Sequence, residues 1–414
     1  MCKLPFSPPT RRPAIPRGIW ALGMVSLFMD MSSELIHSLL PVFMVSVLGA
    51  SFVSVGIIEG LAEGTAMVLK VFSGVLSDYW RKRKLLVVIG YGLAAITKPL
   101  FPLASGLSAV FLARFLDRVG KGIRGAPRDA LIADLAPPGL RGTCYGLRQT
   151  LDTIGAFIGP LLAMVLMALL ANDIRMVLWV AVIPALMAVM FLMVGVSEPT
   201  PLHSGEADRT LNPRQLTFPR LGRVYWWIVI VGGILTMARF SEAFLVLRAE
   251  HAGLTLTFLP LVMVIMSAAY AASAYPSGVF ADRKNPRNLL AAGFIILILA
   301  DVVLALASGV AGVLLGVALW GIHMGLTQGL LATLIAGAAP AEHRGSAFGI
   351  FNLVCGVMLF IASLLAGFLW DQFGPSATFL AGAGFTALAF VGLMAHWPMT
   401  STETADSVKK ISNA

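Results

Sequence analysis

Gly74-Val-Leu-Ser-Asp78 returns as Gly278-Val-Phe-Ala-Asp282, 204 positions later in the chain. Arg141-Gly-Thr-Cys-Tyr-Gly146 returns as Arg344-Gly-Ser-Ala-Phe-Gly349, 203 positions later. Two short matches in register at nearly one offset imply a duplicated unit. The residues around them set its nature. Each copy of the first pattern ends an apolar run long enough to cross a hydrocarbon core of roughly 30 Å. A parallel repeat of this kind relates two bundles by an axis along the membrane normal.

Composition extends this reading to the whole chain. Of 414 residues, 58% are hydrophobic and 12% charged, about half the roughly 25% charge of a soluble domain. In lipid only helices and closed barrels satisfy their own backbone. The runs here are long and continuous, without the alternation of barrel strands over ~10 residues. Spans are expected near 18–47, 52–77, 85–104, 107–134, 143–170, 175–196, 224–248, 254–281, 288–308, 310–338, 346–369 and 376–397. The first is longer than needed and has room to break near Pro41. The expected fold is an all-α membrane protein: twelve transmembrane helices in two pseudo-symmetric six-helix bundles. Its parts are a tail (1–17), an N-terminal bundle (18–196), a polar, turn-rich linker (197–223), a C-terminal bundle (224–397) and a second tail (398–414).

The net charge of +9 sits mainly in short loops. Lys3, Arg11, Arg12 and Arg17, then Arg81-Lys82-Arg83-Lys84, Arg141, the linker arginines, Arg283, Lys284, Arg287 and Arg344 all fall on one side of a twelve-span chain. Basic loops mark the cytoplasmic face, so both termini are expected there. The charge is therefore read as topology, and no nucleic acid partner is expected. The Pro- and Arg-rich start lacks the short apolar core of a cleaved signal. Cys2, Cys144 and Cys355 have no metal-like spacing. With no nucleophile–base pair, metal cluster or phosphate loop at useful spacing, no enzyme activity, metal or cofactor is expected.

Gly74-Val-Leu76-Ser-Asp78-Tyr-Trp-Arg81-Lys82-Arg83, with its second copy at Gly278, Asp282, Arg283 and Arg287, resembles the loop signature of the major facilitator superfamily. Tyr79 and Arg81 stand where that family usually has Arg and Gly. Ala113-Arg114-Phe-Leu-Asp117-Arg118 resembles the family's arginine motif in span 4. Gly146, Gly155, Gly159 and Pro160 resemble its antiporter signature in span 5, with Ala163 and Met164 replacing the trailing glycines. The string Asp117 to Asp134 is similar to that of a bacterial branch of the family. The resemblance implies alternating access to a cavity lined by spans 1, 4, 7 and 10, with Gly74, Asp78, Arg81, Arg83, Gly278, Asp282 and Arg283 forming a gate. It also implies a cytoplasmic (inner) membrane location, a small-molecule substrate, a monomer, and proton-coupled antiport (efflux), with uptake of an organic anion as the alternative and a non-transporting sensor as a third.

A charge at mid-bilayer costs roughly 2.5–3.5 kcal/mol, so charges inside spans carry information. Asp30, Glu34 and His37 fall on one helical face of span 1. Asp30 and Glu34 are the proton-coupling candidates, with a fixed arginine partner as the alternative role. Arg114, Asp117 and Arg118 form a stripe on span 4 and are cavity candidates. Arg148 and Asp152, at i and i+4, and Arg239 and Glu242, at i and i+3, read as local pairs and as cavity candidates. Glu59 and Glu63 lie on one face of span 2 and need a polar neighbour. Lys98 and Asp301 stand alone. His323 in span 10 is open to two readings, the cavity or a helix contact.

Overall fold

Apolar runs of this length bury their backbone polar groups only by coiling, and they do so here. The computed structural model describes residues 15–80, 82–137, 140–197, 221–281, 286–339 and 344–395. Among them there are twelve spans and no strand. In the first half, α1 runs Arg17–His37, with a short turn Leu40–Val42 and a π turn Phe43–Val47. Next come α2 (Phe52–Trp80), α3 (Arg83–Thr97, then Leu100–Leu103), α4 (Leu107–Leu135), α5 (Arg141–Leu169) and α6 (Ile174–Val180, then Val182–Gly195). In the second half, α7 comprises Arg223–Ala238 and Ala243–His251. It is followed by α8 (Leu261–Ala281), α9 (Pro286–Leu306), α10 (Val310–Ala338), α11 (Arg344–Phe373) and α12 (Pro375–Ala395). Most of the expected linker, both tails, Arg81, Asp282 and Arg283 lie outside the described residues, as does the side chain of Asp78.

Eleven of these stretches are apolar enough to cross a membrane by composition alone. The twelfth, α4, has the length but carries too many charges, and its place among the spans depends on what those charges meet. Four spans are interrupted, α6 only by a turn at Ala181. The α1 break at Ser38–Leu39 lies just before Pro41, whose ring clashes with the carbonyl four residues back. The α3 break at Lys98–Pro99 has the same cause. The α7 break at Arg239–Glu242 corrects the continuous span 224–248 read from the sequence. It contains no proline. Its backbone is held from the side, where the Ser241 N–H donates to Ser363 Oγ on α11 at 3.1 Å.

Glycines bring the helices together. A Cβ at Gly155 would sit 2.2 Å from the Leu27 carbonyl oxygen, and one at Gly159 2.6 Å from that of Met31. These members of the antiporter-like motif therefore serve the close α1–α5 contact, and Pro160 follows them inside α5. Gly146 differs, since a Cβ there would meet nothing within 4 Å. Between the halves, α2 and α11 approach along Gly56, Gly60 and Gly64, with Gly64 against the Gly356 carbonyl.

The sides of the molecule are closed unequally. Away from the termini, one core joins the halves: Leu35, Leu39 and Phe43 of α1 belong with Phe244 and Leu247 of α7 and with Phe379 of α12. Ser46 Oγ donates to Glu250, Asn172 Oδ1 accepts from Thr257, and the Asp371 carboxylate accepts from the Phe52 and Val53 N–H groups. Near the termini, the first half has a separate core around Leu22, Val25, Leu131 and Leu192. There Lys121, Gln149, Thr150, Gln328 and Thr333 are exposed. The cleft between the halves thus opens on the side of the termini.

Candidate functional site

The charges of the first half join into one chain of alternating sign. It starts at the cleft with Glu34, 26% exposed, whose Oε2 lies 3.5 Å from His37 Nδ1. His37 Nε2 is 3.7 Å from Glu59 Oε2, a contact too long for a hydrogen bond. Arg114 Nη2 reaches Glu59 Oε2 at 2.6 Å and Glu63 Oε1 at 3.2 Å. Arg118 binds Glu63 at 3.0 Å and Asp117 at 3.2 Å. Asp117 closes on Lys98 Nζ at 2.9 Å, and Lys98 also donates to Ser33 Oγ. The chain draws on α1, α2, α3 and α4.

Local structure sets this geometry. The spacing of Arg114, Asp117 and Arg118 stacks them on one face of α4, and Glu59 and Glu63 form the matching pair one turn apart on α2. The breaks before Pro41 and Pro99 place His37 and Lys98 at helix ends, where their side chains reach sideways. Glu59, Arg114, Asp117, Arg118 and Lys98 have 0–3% exposed side chains, whereas Glu63 is 23% exposed. The cluster therefore has a buried end at Lys98 and a cleft end at Glu34. Four carboxylates face three permanent cations, and His37 is the remaining member. Counted by direct contact, the set with a neutral His37 is one positive charge short; Lys121 reaches Glu34 and Glu63, and Arg124 reaches Asp117, through space only.

Asp30 does not join this chain. Its carboxyl lies within hydrogen-bonding reach of Asp152 on α5, and Asp152 also holds Arg148 at 2.6 Å. The local Arg148–Asp152 pair expected from spacing is formed. The Arg239–Glu242 pair is not, because the break in α7 parts the two side chains. Among the described residues neither has a side-chain hydrogen bond or ion pair, and the buried Arg239 Nε has no partner there. Glu242 nevertheless lies within electrostatic reach of Glu34, His37 and Glu63 across the cleft, and Arg239 within reach of Tyr270 and His323.

His323 is fully buried, with Nδ1 3.0 Å from the Gly293 carbonyl of α9. That contact favours the helix-contact role over a place in the open cavity. Of the gate residues, Arg83 pairs with Asp134 and donates to the Ala130 carbonyl, which ties α3 to α4 within one half. Gly74 packs at 3.4 Å from Ala126, and Gly278 is helical within α8. Glu59, Glu63 and Lys98 were missing from the residues singled out as site candidates. The like-charged i, i+4 pair on α2, and a lysine directly before a proline in an apolar run, were the available signals.

Two helical bundles around a polar cleft, sealed on one side and open on the other, define a membrane transporter that moves a small solute by secondary transport, and not an enzyme. The chain belongs to the major facilitator superfamily, whose family model matches residues 22–363 and 243–411. It is 30% identical over 377 residues to an uncharacterized MFS-type transporter of Methanocaldococcus jannaschii, covering 89% of this chain and 92% of that protein. Among solved structures, a point mutant of the nucleoside transporter NupG superposes with a TM-score of 0.75 at 15% identity, covering 92% of this chain and 100% of that one. A bacterial homolog of the human lysosomal transporter Spinster, in an inward-facing and occupied conformation, gives 0.74 at 13% identity over 91% and 95% of the two chains. At such identities the superpositions establish the fold alone.

Proposed function

We propose that this transporter is a proton-linked antiporter whose proton site is the cleft end of the alternating charge chain, at Glu34 and His37. The observation that carries the reading is the charge imbalance. Among the groups in direct contact four acids face three fixed cations, and a single proton on His37 makes that chain neutral and alternating throughout. A proton drives a conformational change only if it binds the two states differently. His37 stands at the break in α1, where the half facing the cleft meets the half locked against α7, so its surroundings change as the halves rock. The groups facing it are Glu34 on its own helix, Glu59 and Glu63 on α2, Arg114 on α4 and Glu242 on α7.

The position of Glu242 supports exchange over co-transport. A cationic group arriving there repels a proton on His37, so solute and proton oppose each other's binding. By linkage the effect is reciprocal. The antiporter-like stretch in α5 points the same way. Organic anion uptake was motivated by the arginines of α4, and Arg114 and Arg118 are committed to carboxylates. The charged loops support a cytoplasmic side for the termini, in a bacterial inner membrane.

The test is a solute screen in proteoliposomes under an imposed pH gradient, with an internal pH dye as readout. Wild type is expected to show solute-dependent proton flux. Glu34→Gln and His37→Gln are expected to abolish it while the purified proteins keep their helical circular dichroism. Undiminished pH-gradient-driven flux in both variants would sink the assignment.

A further inference from the structure

Two charges of the second half with no side-chain partner among the described residues lie at the break in α7. Arg239 caps the C-terminal end of the segment Arg223–Ala238, and Glu242 caps the N-terminal end of Ala243–His251. Each charge therefore has the sign that its helix dipole favours. A helix end supplies typically 0.3–1 kcal/mol, up to ~2, against an insertion cost of roughly 2.5–3.5 kcal/mol for a mid-membrane charge. The shortfall leaves each residue in want of a partner of opposite charge.

The neighbours leave these charges free. The acids facing Glu242 from the first half are already held, Glu34 by His37 and Glu63 by Arg114 and Arg118. Around Arg239 the other titratable neighbours among the described residues are Tyr270, His323 and Cys355, with no carboxylate but Glu242. The intervening Phe240 is buried against Phe244 and Phe379 and Ser241 is bonded to Ser363, so the break is fixed by packing on both sides. A cation and an anion, each without a protein partner among the described residues, are thus presented three residues apart. Three extended residues span at most about 10 Å of backbone, so one small molecule can reach both side chains.

We propose that the broken centre of α7 binds a small amphoteric solute, with Arg239 taking its anionic group and Glu242 its cationic group. The proposal rests on the transport reading above and supplies its substrate class. A solute with one charge leaves the opposite protein charge desolvated and unpaired on binding, which costs more than a lost neutral contact. Discrimination against singly charged analogues is therefore built into the site.

The experiment is thermal stabilisation of the detergent-purified full chain by the free proteinogenic amino acids, β-alanine and γ-aminobutyrate. The tightest ligand is then compared with its own amide and its own N-acetyl derivative. At least one zwitterion is expected to bind roughly tenfold or more tighter than both single-charge forms, a difference of about 1.4 kcal/mol. Arg239→Gln is expected to erase the preference over the amide, and Glu242→Gln the preference over the N-acetyl form. Because the first comparison uses wild type only, it stands even if a variant does not fold. Failure of every zwitterion to stabilise the protein, or equal binding of either single-charge form, overturns the proposal. Proton-coupled flux of a purely cationic or anionic solute in proteoliposomes also overturns it, while leaving the transport reading intact. Absence of any coupled flux alongside selective zwitterion binding removes the coupling reading instead.

Discussion

Helices α4 and α10 hold corresponding places in the two halves, and each is 29 residues long. Aligned end to end, Arg114 falls opposite Val317, Asp117 opposite Trp320, Arg118 opposite Gly321 and Lys121 opposite Met324. One helix carries the densest set of charges in the chain. The other has His323 as its one acidic or basic side chain and meets the apolarity of an ordinary membrane span. The first half is held together by a relay of ion pairs across four helices, the second by close-packed apolar side chains and a few hydrogen bonds. Duplication thus preserved the scaffold while the electrostatic work settled in one copy. In the first half most buried charge is paired with opposite charge, whereas in the second half Arg248 rests on backbone carbonyls and Arg239 and Glu242 flank a helix break.

The largest expected effect comes from cutting the relay at its centre. Arg114→Gln strips a fully buried Glu59 of its strongest partner, and breaking a buried pair by removing one member costs about 3–5 kcal/mol. A lowered melting temperature in detergent, largely restored by Glu59→Gln in the same chain, is the expected result. No change in the single variant would contradict the pairing described. A smaller loss is expected from planting the charge in the other half. Val317→Arg introduces an uncompensated arginine at roughly 2.5–3.5 kcal/mol, measurable as reduced membrane yield and melting temperature. By the repeat, Met263 on α8 stands in register with Glu59, so adding Met263→Glu is expected to recover part of the loss. If the second change only worsens the first, the two halves are less alike than their alignment suggests. The smallest effect belongs to Asp301, which is fully buried on α9, accepts from Trp320 Nε1 at 3.3 Å and has no ion pair among the described residues. An amide oxygen accepts the same bond, so Asp301→Asn is expected to shift stability by less than about 1 kcal/mol. A large drop in melting temperature would mean that Asp301 acts as an ion.

The sequence made the spans legible because apolar length is a property of the chain alone. It also revealed the stripe Arg114–Asp117–Arg118 and the need of Glu59 and Glu63 for a neighbour, since both follow from helical spacing. It could not show that the neighbour of one is the other, because contact between α2 and α4 is a tertiary fact. Lys98 looked solitary for the same reason. The α1 break was legible through Pro41, while the α7 break was not, having neither proline nor glycine at its centre. An unbroken α7 would have joined Arg239 to Glu242, and the local pair read from their spacing fails for that reason alone. Asp30 shares its helical face with Glu34, yet meets α5 instead, because the face is wide enough to touch two neighbours.

The seal on the side away from the termini has a kinetic corollary. Its hydrogen bonds, from Ser46 to Glu250, from Thr257 to Asn172, and from the start of α2 to Asp371, are all exposed. Water can replace each partner as the halves part, so the net loss per bond is of the order of 1 kcal/mol. Polar fasteners of this strength add to the apolar seal without locking it. Buried ion pairs at that rim would have turned a door into a wall.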